Sequence, residues 1–304
     1  MKKAGSHVHQ ECRSLLQKAV RRGDVLLVEK VAHHLNSDEN PKWLRTRTSV
    51  IFFEECWPLG TSLRLPLDFE AALDALLDVA KKEKYKEAAG LGTLGYVLST
   101  GDASVLSDIP KGEQEHIEAI CQAIKNPHEF WQWVRTQCTD AAQERLIEAA
   151  HKAHRTGGWP WDKAFMQAAA YLAVTRGIPK VQTGEKQASC PLWVGIDKHT
   201  PKGKEALIQA ASELHLSSRT LSWISFYCES AVVNKLADTD TQWWRREIAW
   251  RLRRVGLDYQ TASQIWIEVR PHIAKILEVE AAILQEHLNS SKQTKPIFTQ
   301  ESLF

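Results

Sequence analysis

Residues 12–35, "CRSLLQKAVRRGDVLLVEKVAHHL", carry the pattern that decides the fold. Cys12, Leu15, Leu16, Ala19 and Val20 recur at steps of three and four, and after Gly23 and Asp24 the positions Val28, Val31, Ala32 and Leu35 repeat that spacing. Such positions share one face of a helix with about 3.6 residues per turn, whereas a half-buried strand alternates every second residue. The same periodicity runs through "DFEAALDALLDVAKK" (68–82), "AAQERLIEAAHKAH" (141–154), "KAFMQAAAYLAV" (163–174) and "ASQIWIEVRPHIAKILEVEAAILQEHL" (262–288). An all-α fold is expected.

Breaks fall where Gly, Pro, Asn, Asp and Ser cluster, at 36–41, 57–68, 99–113, 155–161 and 176–191. No fixed repeat period is present. From Asn289 onward the composition turns polar until a terminal apolar pair, which reads as a flexible tail. With 304 residues, 43% of them hydrophobic and 25% charged, the chain can bury a sizeable core. The net charge is only +2, so contact with nucleic acid needs a local patch and not bulk charge. The N-terminus has two lysines but no apolar run behind them, and no stretch approaches the roughly 20 apolar residues of a membrane span. A cytoplasmic location is expected. Six scattered cysteines fit neither a disulfide framework nor a zinc ribbon and are read as reduced thiols.

Three segments together resemble the helical collar that follows the ATPase core in RarA, Mgs and the Werner-helicase-interacting ATPases. In "LLQKAVRRGDV", Lys18, Arg21 and Asp24 match; in "NPKWLRTRTSVIFFEECWPLG", Pro41, Arg47 and the acidic pair Glu54 and Glu55 match; in "KAFMQAAAYLAV", Ala164, Gln167, Ala168, Tyr171, Leu172 and Ala173 match, followed by "CPLW". The resemblance implies a compact, clamp-loader-collar-like helical region over 1–216. Additional helices are expected over 217–288 and the tail over 289–304. The family's ATPase domain has no counterpart: "GLGTLG" (90–95) lacks the lysine of a phosphate loop and reads as a helix junction. The tail ends "QESLF", in which Gln300, Leu303 and Phe304 resemble the peptide that bacterial replication proteins insert into the sliding clamp.

The clearest basic patch is "QWWRREIAWRLRRVG" (242–256). Arg245, Arg246, Arg251, Arg253 and Arg254 accompany Trp243, Trp244 and Trp250, with Glu247 as the one acid. Arginines grip phosphates and tryptophan faces stack on unpaired bases, although a solvated arginine face over core tryptophans gives the same pattern. Lys18, Arg21, Arg22, Arg45 and Arg47 extend the basic set. The 12 tryptophans include the pairs Trp131/Trp133 and Trp159/Trp161, either core filling or platforms for an extruded base.

In "PLWVGIDKHTPKGKEAL" (191–207), Asp197, Lys198 and His199 precede Thr200 and Pro201, which read as an N-cap and first helical residue. A carboxylate beside a proton carrier is one reading, and cap chemistry the other. Glu54 and Glu55, after the apolar "VIFF", are the reserve carboxylates, with a salt bridge to Arg47 or Arg21 as the alternative. His7, His9 and Cys12 lack a fourth metal ligand, and His33 and His34 cannot face one site. No metal or other cofactor is implied, and no serine or cysteine nucleophile motif appears.

These readings converge on a DNA-acting protein that works without ATP. Cleaving a base from its sugar needs a carboxylate, a proton carrier and aromatic faces, so a DNA N-glycosylase acting on damaged or modified bases is the leading expectation. Asp197 would be its carboxylate, with His199 or Lys198 assisting, in DNA repair or in defence against phage. A non-catalytic, clamp-associated DNA-binding adaptor is the alternative.

Overall fold

The computed structural model describes residues 5–37, 41–184, 189–237 and 242–290. Among them are fourteen α-helices, three isolated β-bridges and no strand, so the all-α expectation holds. No helix among these residues is long and apolar enough to cross a membrane. Gln300, Leu303 and Phe304 lie outside the described residues.

The opening stretch forms two helices packed on one another, α1 (Gly5–Arg22) and α2 (Val25–Ser37). Gly23 between them has φ +77°, a left-handed conformation that suits a residue without a Cβ, and an added Cβ would lie 3.0 Å from the Ala80 carbonyl. Asp24 then caps α2 by accepting from the Leu27 amide at 3.1 Å, and its other oxygen accepts from the Cys190 amide at 2.8 Å. One side chain thus starts a helix and ties down a distant segment.

Helices α3 (Pro41–Cys56) and α4 (Phe69–Lys81) pack on this pair. The centre of the molecule is α5 (Glu87–Ser99), surrounded by α6 (Lys111–Lys125), then, after α7 (Pro127–Thr136) and α8 (Ala141–Thr156), by α9 (Pro160–Arg176). "GLGTLG" proves to be the middle of α5 and not a helix junction. A Cβ on Gly90 would lie 2.4 Å from the Trp243 backbone, one on Gly92 2.9 Å from that of Ala164, and one on Gly95 2.5 Å from the Ile120 side chain. Each glycine lets a different helix approach closely, which outweighs the poor helix propensity of glycine.

The remaining helices are α10 (Pro201–Glu213), α11 (Ser218–Ser225), α12 (Gln242–Arg253), α13 (Tyr259–Ile276) and α14 (Glu278–Ser290). The unbroken apolar pattern over 262–288 hides the break at Leu277, a buried residue that closes α13 by donating to the Ile273 carbonyl. Buried apolar residues form one cluster from Cys12 to Leu288. The six cysteines are free thiols, four of them buried.

Candidate functional site: an aromatic cleft over a buried charge network

Helices α1 and α3, the start of α9, residues 198–200, the turn after α11 and helix α12 enclose a cleft of about 850 Å³. Trp43, Trp161, Phe165, Trp223, Phe226, Tyr227 and Trp244 supply its apolar wall, and Trp159, 72% exposed, stands at its lip.

Asp197, Lys198 and His199 come together here. Thr200 caps α10, its Oγ1 accepting from the Gly203 amide at 3.1 Å, and Pro201 is the first helical residue, as the sequence predicts. An added Cβ on Gly203 would lie 1.9 Å from the Asp197 carbonyl oxygen, so the glycine sets how tightly the helix start closes on the aspartate. The Asp197 side chain is buried beneath the cleft and bonds to the Lys18 Nζ at 2.7 Å, the His199 amide at 3.0 Å and the His199 Nδ1 at 3.1 Å. Desolvation pushes its pKa up, but the Lys18 ammonium and His199 outweigh this and hold it far below the usual carboxylate range.

His199 itself is half exposed inside the concavity. Desolvation lowers its pKa against the pull of Asp197, which leaves a neutral imidazole at pH 7. With Nδ1–H donating to Asp197, Nε2 is the free base. Lys198 lays its ammonium 3.5 Å from the Trp223 ring centre and 4.6 Å from that of Phe226. Burial lowers its pKa to about 7 despite Asp197 nearby.

Sequence reasoning gave Glu247 no role, yet it lines the same cleft and is only 6% exposed. Tyr227 donates to its Oε1 at 3.0 Å, while Oε2 has no hydrogen-bond partner among the described residues. Desolvation raises its pKa to about 7, with Arg251 and Tyr227 only partly opposing. The signal in the sequence was a lone acid within a Trp- and Arg-rich helix. Its environment comes from a tyrosine twenty positions away in the chain.

The reserve carboxylates take the salt-bridge alternative. Arg21 reaches Glu54 at 2.8 Å and Glu55 at 2.6 Å, and Lys86 reaches Glu55 at 3.2 Å. Glu55 is fully buried; desolvation works against its charge, but Arg21 and Lys86 prevail and lower its pKa to about 2. Glu54 lines the cleft and also faces Arg47 at 3.6 Å. Arg47 continues the network to Asp162 at 2.9 Å, and Asp162 accepts from the Trp159 amide at 3.3 Å. Arg21 of α1 and Arg47, Glu54 and Glu55 of α3 thus form one ion-pair network that reaches the start of α9 through Asp162.

The basic residues are mostly engaged within the protein. Lys18, Arg21 and Arg22 are buried, Arg22 on Glu229 at 2.7 Å, and none of the three presents a surface charge. In α12, Trp243, Trp244 and Trp250 are buried, so the helix shows no open row of stacking faces. Arg246 pairs with Glu113, Arg253 with Asp108 and Arg254 with Asp102. Arg251 turns into the cleft, 4.9 Å over Trp223 and 5.3 Å over Trp161, and Arg245 is exposed. Arg45 lies outside this cleft and lines another concavity. Trp131 is core, packed on Phe130, and Trp133 is partly exposed. Among the described residues no group of three or more His, Cys, Asp or Glu is placed to hold a metal ion.

The arrangement offers an imidazole backed by an ionised aspartate, with a glutamic acid and a lysine that both titrate near neutrality, within aromatic walls. Two carboxyl groups whose pKa values are pushed apart can divide acid and base roles. No protein-family model, no curated protein and no solved structure matches this chain.

Proposed function

We propose that the chain is a DNA N-glycosylase that takes an extruded damaged or modified base into the aromatic cleft and hydrolyses its bond to the sugar. The observation that carries this reading is the pairing, at one aromatic-walled cleft, of an ionised Asp197 bonded to His199 with a buried Glu247 whose Oε2 lacks a partner among the described residues.

The chemistry assigns each group one task. Aromatic faces hold the base, each stacked base contributing about 1–3 kcal/mol. Glu247, protonated near neutrality, gives its proton to the departing base as the C1′–N bond breaks and its electron pair moves to nitrogen. His199 Nε2 takes a proton from the water that attacks C1′, and Asp197 orients the ring and stabilises the imidazolium. Water and glycoside give free base and an abasic sugar.

A second reading rests on the full pairing of Asp197, Glu54 and Glu55 with cations, which also suits a non-catalytic adaptor in which these groups hold the fold. In either case the terminal Gln300, Leu303 and Phe304 would engage a bacterial sliding clamp and raise the local concentration on DNA. The test is incubation with DNA carrying normal, damaged or naturally modified bases, scored for alkali-labile sites. Strand breaks that disappear in Asp197→Asn support the glycosylase; intact DNA with retained DNA and clamp binding supports the adaptor.

A further inference from the structure

A second concavity, of about 650 Å³, lies on the other side of α3, and Thr46 lines both. Lys42 and Arg45 of α3 face it from one side, and Lys152 and Arg155 of α8 from the other. Among the described residues no carboxylate lines it. Lys152 pairs with Glu148 on its own helix at 2.6 Å, while among the described residues no carboxylate pairs with Lys42, Arg45 or Arg155. This contrasts with the basic residues of α1 and α12, most of which are matched by internal acids. The wall between the cations is apolar, from Leu65 to Leu67, and the hydroxyls of Thr46 and Ser49 are at hand.

The chain itself joins the two concavities. Arg155 and Thr156 line the basic one, and Gly158 and Trp159, directly after them, line the aromatic one. The turn is held at both ends, by the Gly157 amide on the Ala153 carbonyl at 2.6 Å and the Trp159 amide on Asp162.

We propose that the basic concavity grips consecutive phosphodiesters of the DNA strand whose nucleotide enters the aromatic cleft, with the 155–159 turn between grip and pocket. This rests on the glycosylase reading for the strand's identity. Unpaired cations from two helices around an apolar wall suit phosphates flanking a sugar, and phosphate contacts position a strand without reading its sequence. They also account for DNA binding by a chain of net charge +2.

The test is anisotropy of a labelled duplex over a salt series, comparing wild type with Lys42→Gln/Arg45→Gln and Lys152→Gln/Arg155→Gln. Because binding releases about 0.9 counterion per phosphate contact, each double variant should flatten the slope of log K against log salt by about 2. Circular dichroism should be unchanged in both double variants. Unaltered slopes in both variants, with wild type binding DNA, would overturn the grip and leave the glycosylase reading standing. Wild type binding no DNA would overturn both. Titration of inorganic phosphate and a mononucleotide separates the remaining source: tight binding of these, lost in the variants while DNA slopes persist, would make the concavity a small-anion site and refute the proposal.

Discussion

Replacing Lys18 by methionine removes an ammonium 2.7 Å from Asp197 while keeping most of the side-chain volume, and both groups are about 95% buried, with exposures of 6% and 5%. Solvent screening is therefore weak, and breaking a buried ion pair by removing one partner costs about 3–5 kcal/mol. The sign with pH follows from the aspartate. Lys18 and His199 place its folded pKa below the unfolded value, so in wild type the ionised carboxylate stabilises the fold above about pH 4 and that contribution is lost as pH falls through the folded pKa. Without Lys18, desolvation, the largest influence on Asp197, pushes the pKa up. The cost of Lys18→Met should then be greater at pH 7 than at pH 4, readable from denaturant unfolding at the two pH values. The pair Lys18→Met/Asp197→Asn should cost less than the sum of its parts by at least about 1 kcal/mol. A cost below about 1 kcal/mol that is equal at both pH values would refute the reasoning.

Other consequences are equally open to measurement. With Glu247 titrating at about 7 and His199 below its usual value, base release should be highest between the two, falling above pH 7 as Glu247 ionises. Glu247→Gln should flatten that alkaline limb and lower single-turnover release at least about a hundredfold, in keeping with the usual worth of a general acid. The same raised pKa means that folding stability falls from about pH 4.5 to pH 7 by a contribution absent in Glu247→Gln, which urea titrations would detect. Gly90→Ala should destabilise by about 1–3 kcal/mol or more, because its Cβ would meet the Trp243 backbone at 2.4 Å. Trp159→Ala, at a side chain 72% exposed, should leave the unfolding midpoint unchanged but slow base release from duplex DNA more than from single strands.

Helices α1, α2, α4, α8, α9, α13 and α14 were legible because their apolar spacing survives, and the cap at Thr200 because Thr-Pro chemistry is local; α5 was misread as a junction because its glycines serve close contacts with helices far along the chain. The same local signal located Asp197, Lys198 and His199. The fate of the charges was not legible, since ion pairing is settled by partners far along the chain. Arg22 meets Glu229 at 2.7 Å, Arg254 meets Asp102 at 2.6 Å and Lys18 meets Asp197, none of which any local periodicity encodes. An arginine- and tryptophan-rich helix such as α12 looks like a nucleic-acid face until its acids arrive from residues 102–113. Glu247 was hidden for the related reason that desolvation, not residue type, gives a carboxyl its proton at neutral pH. Conversely, Lys42, Arg45 and Arg155 look ordinary in sequence and are distinguished only by lacking a carboxylate partner among the described residues.

The most direct measurement is mass spectrometry of the products formed from base-modified duplex DNA, counting free base and abasic sites in the same reaction. Wild type should release them in equal amounts, and Asp197→Asn and Glu247→Gln, folded as judged by circular dichroism, should release neither at a comparable rate. Product formed undiminished by both variants, or DNA left intact by wild type across the base panel, would contradict hydrolysis in the aromatic cleft.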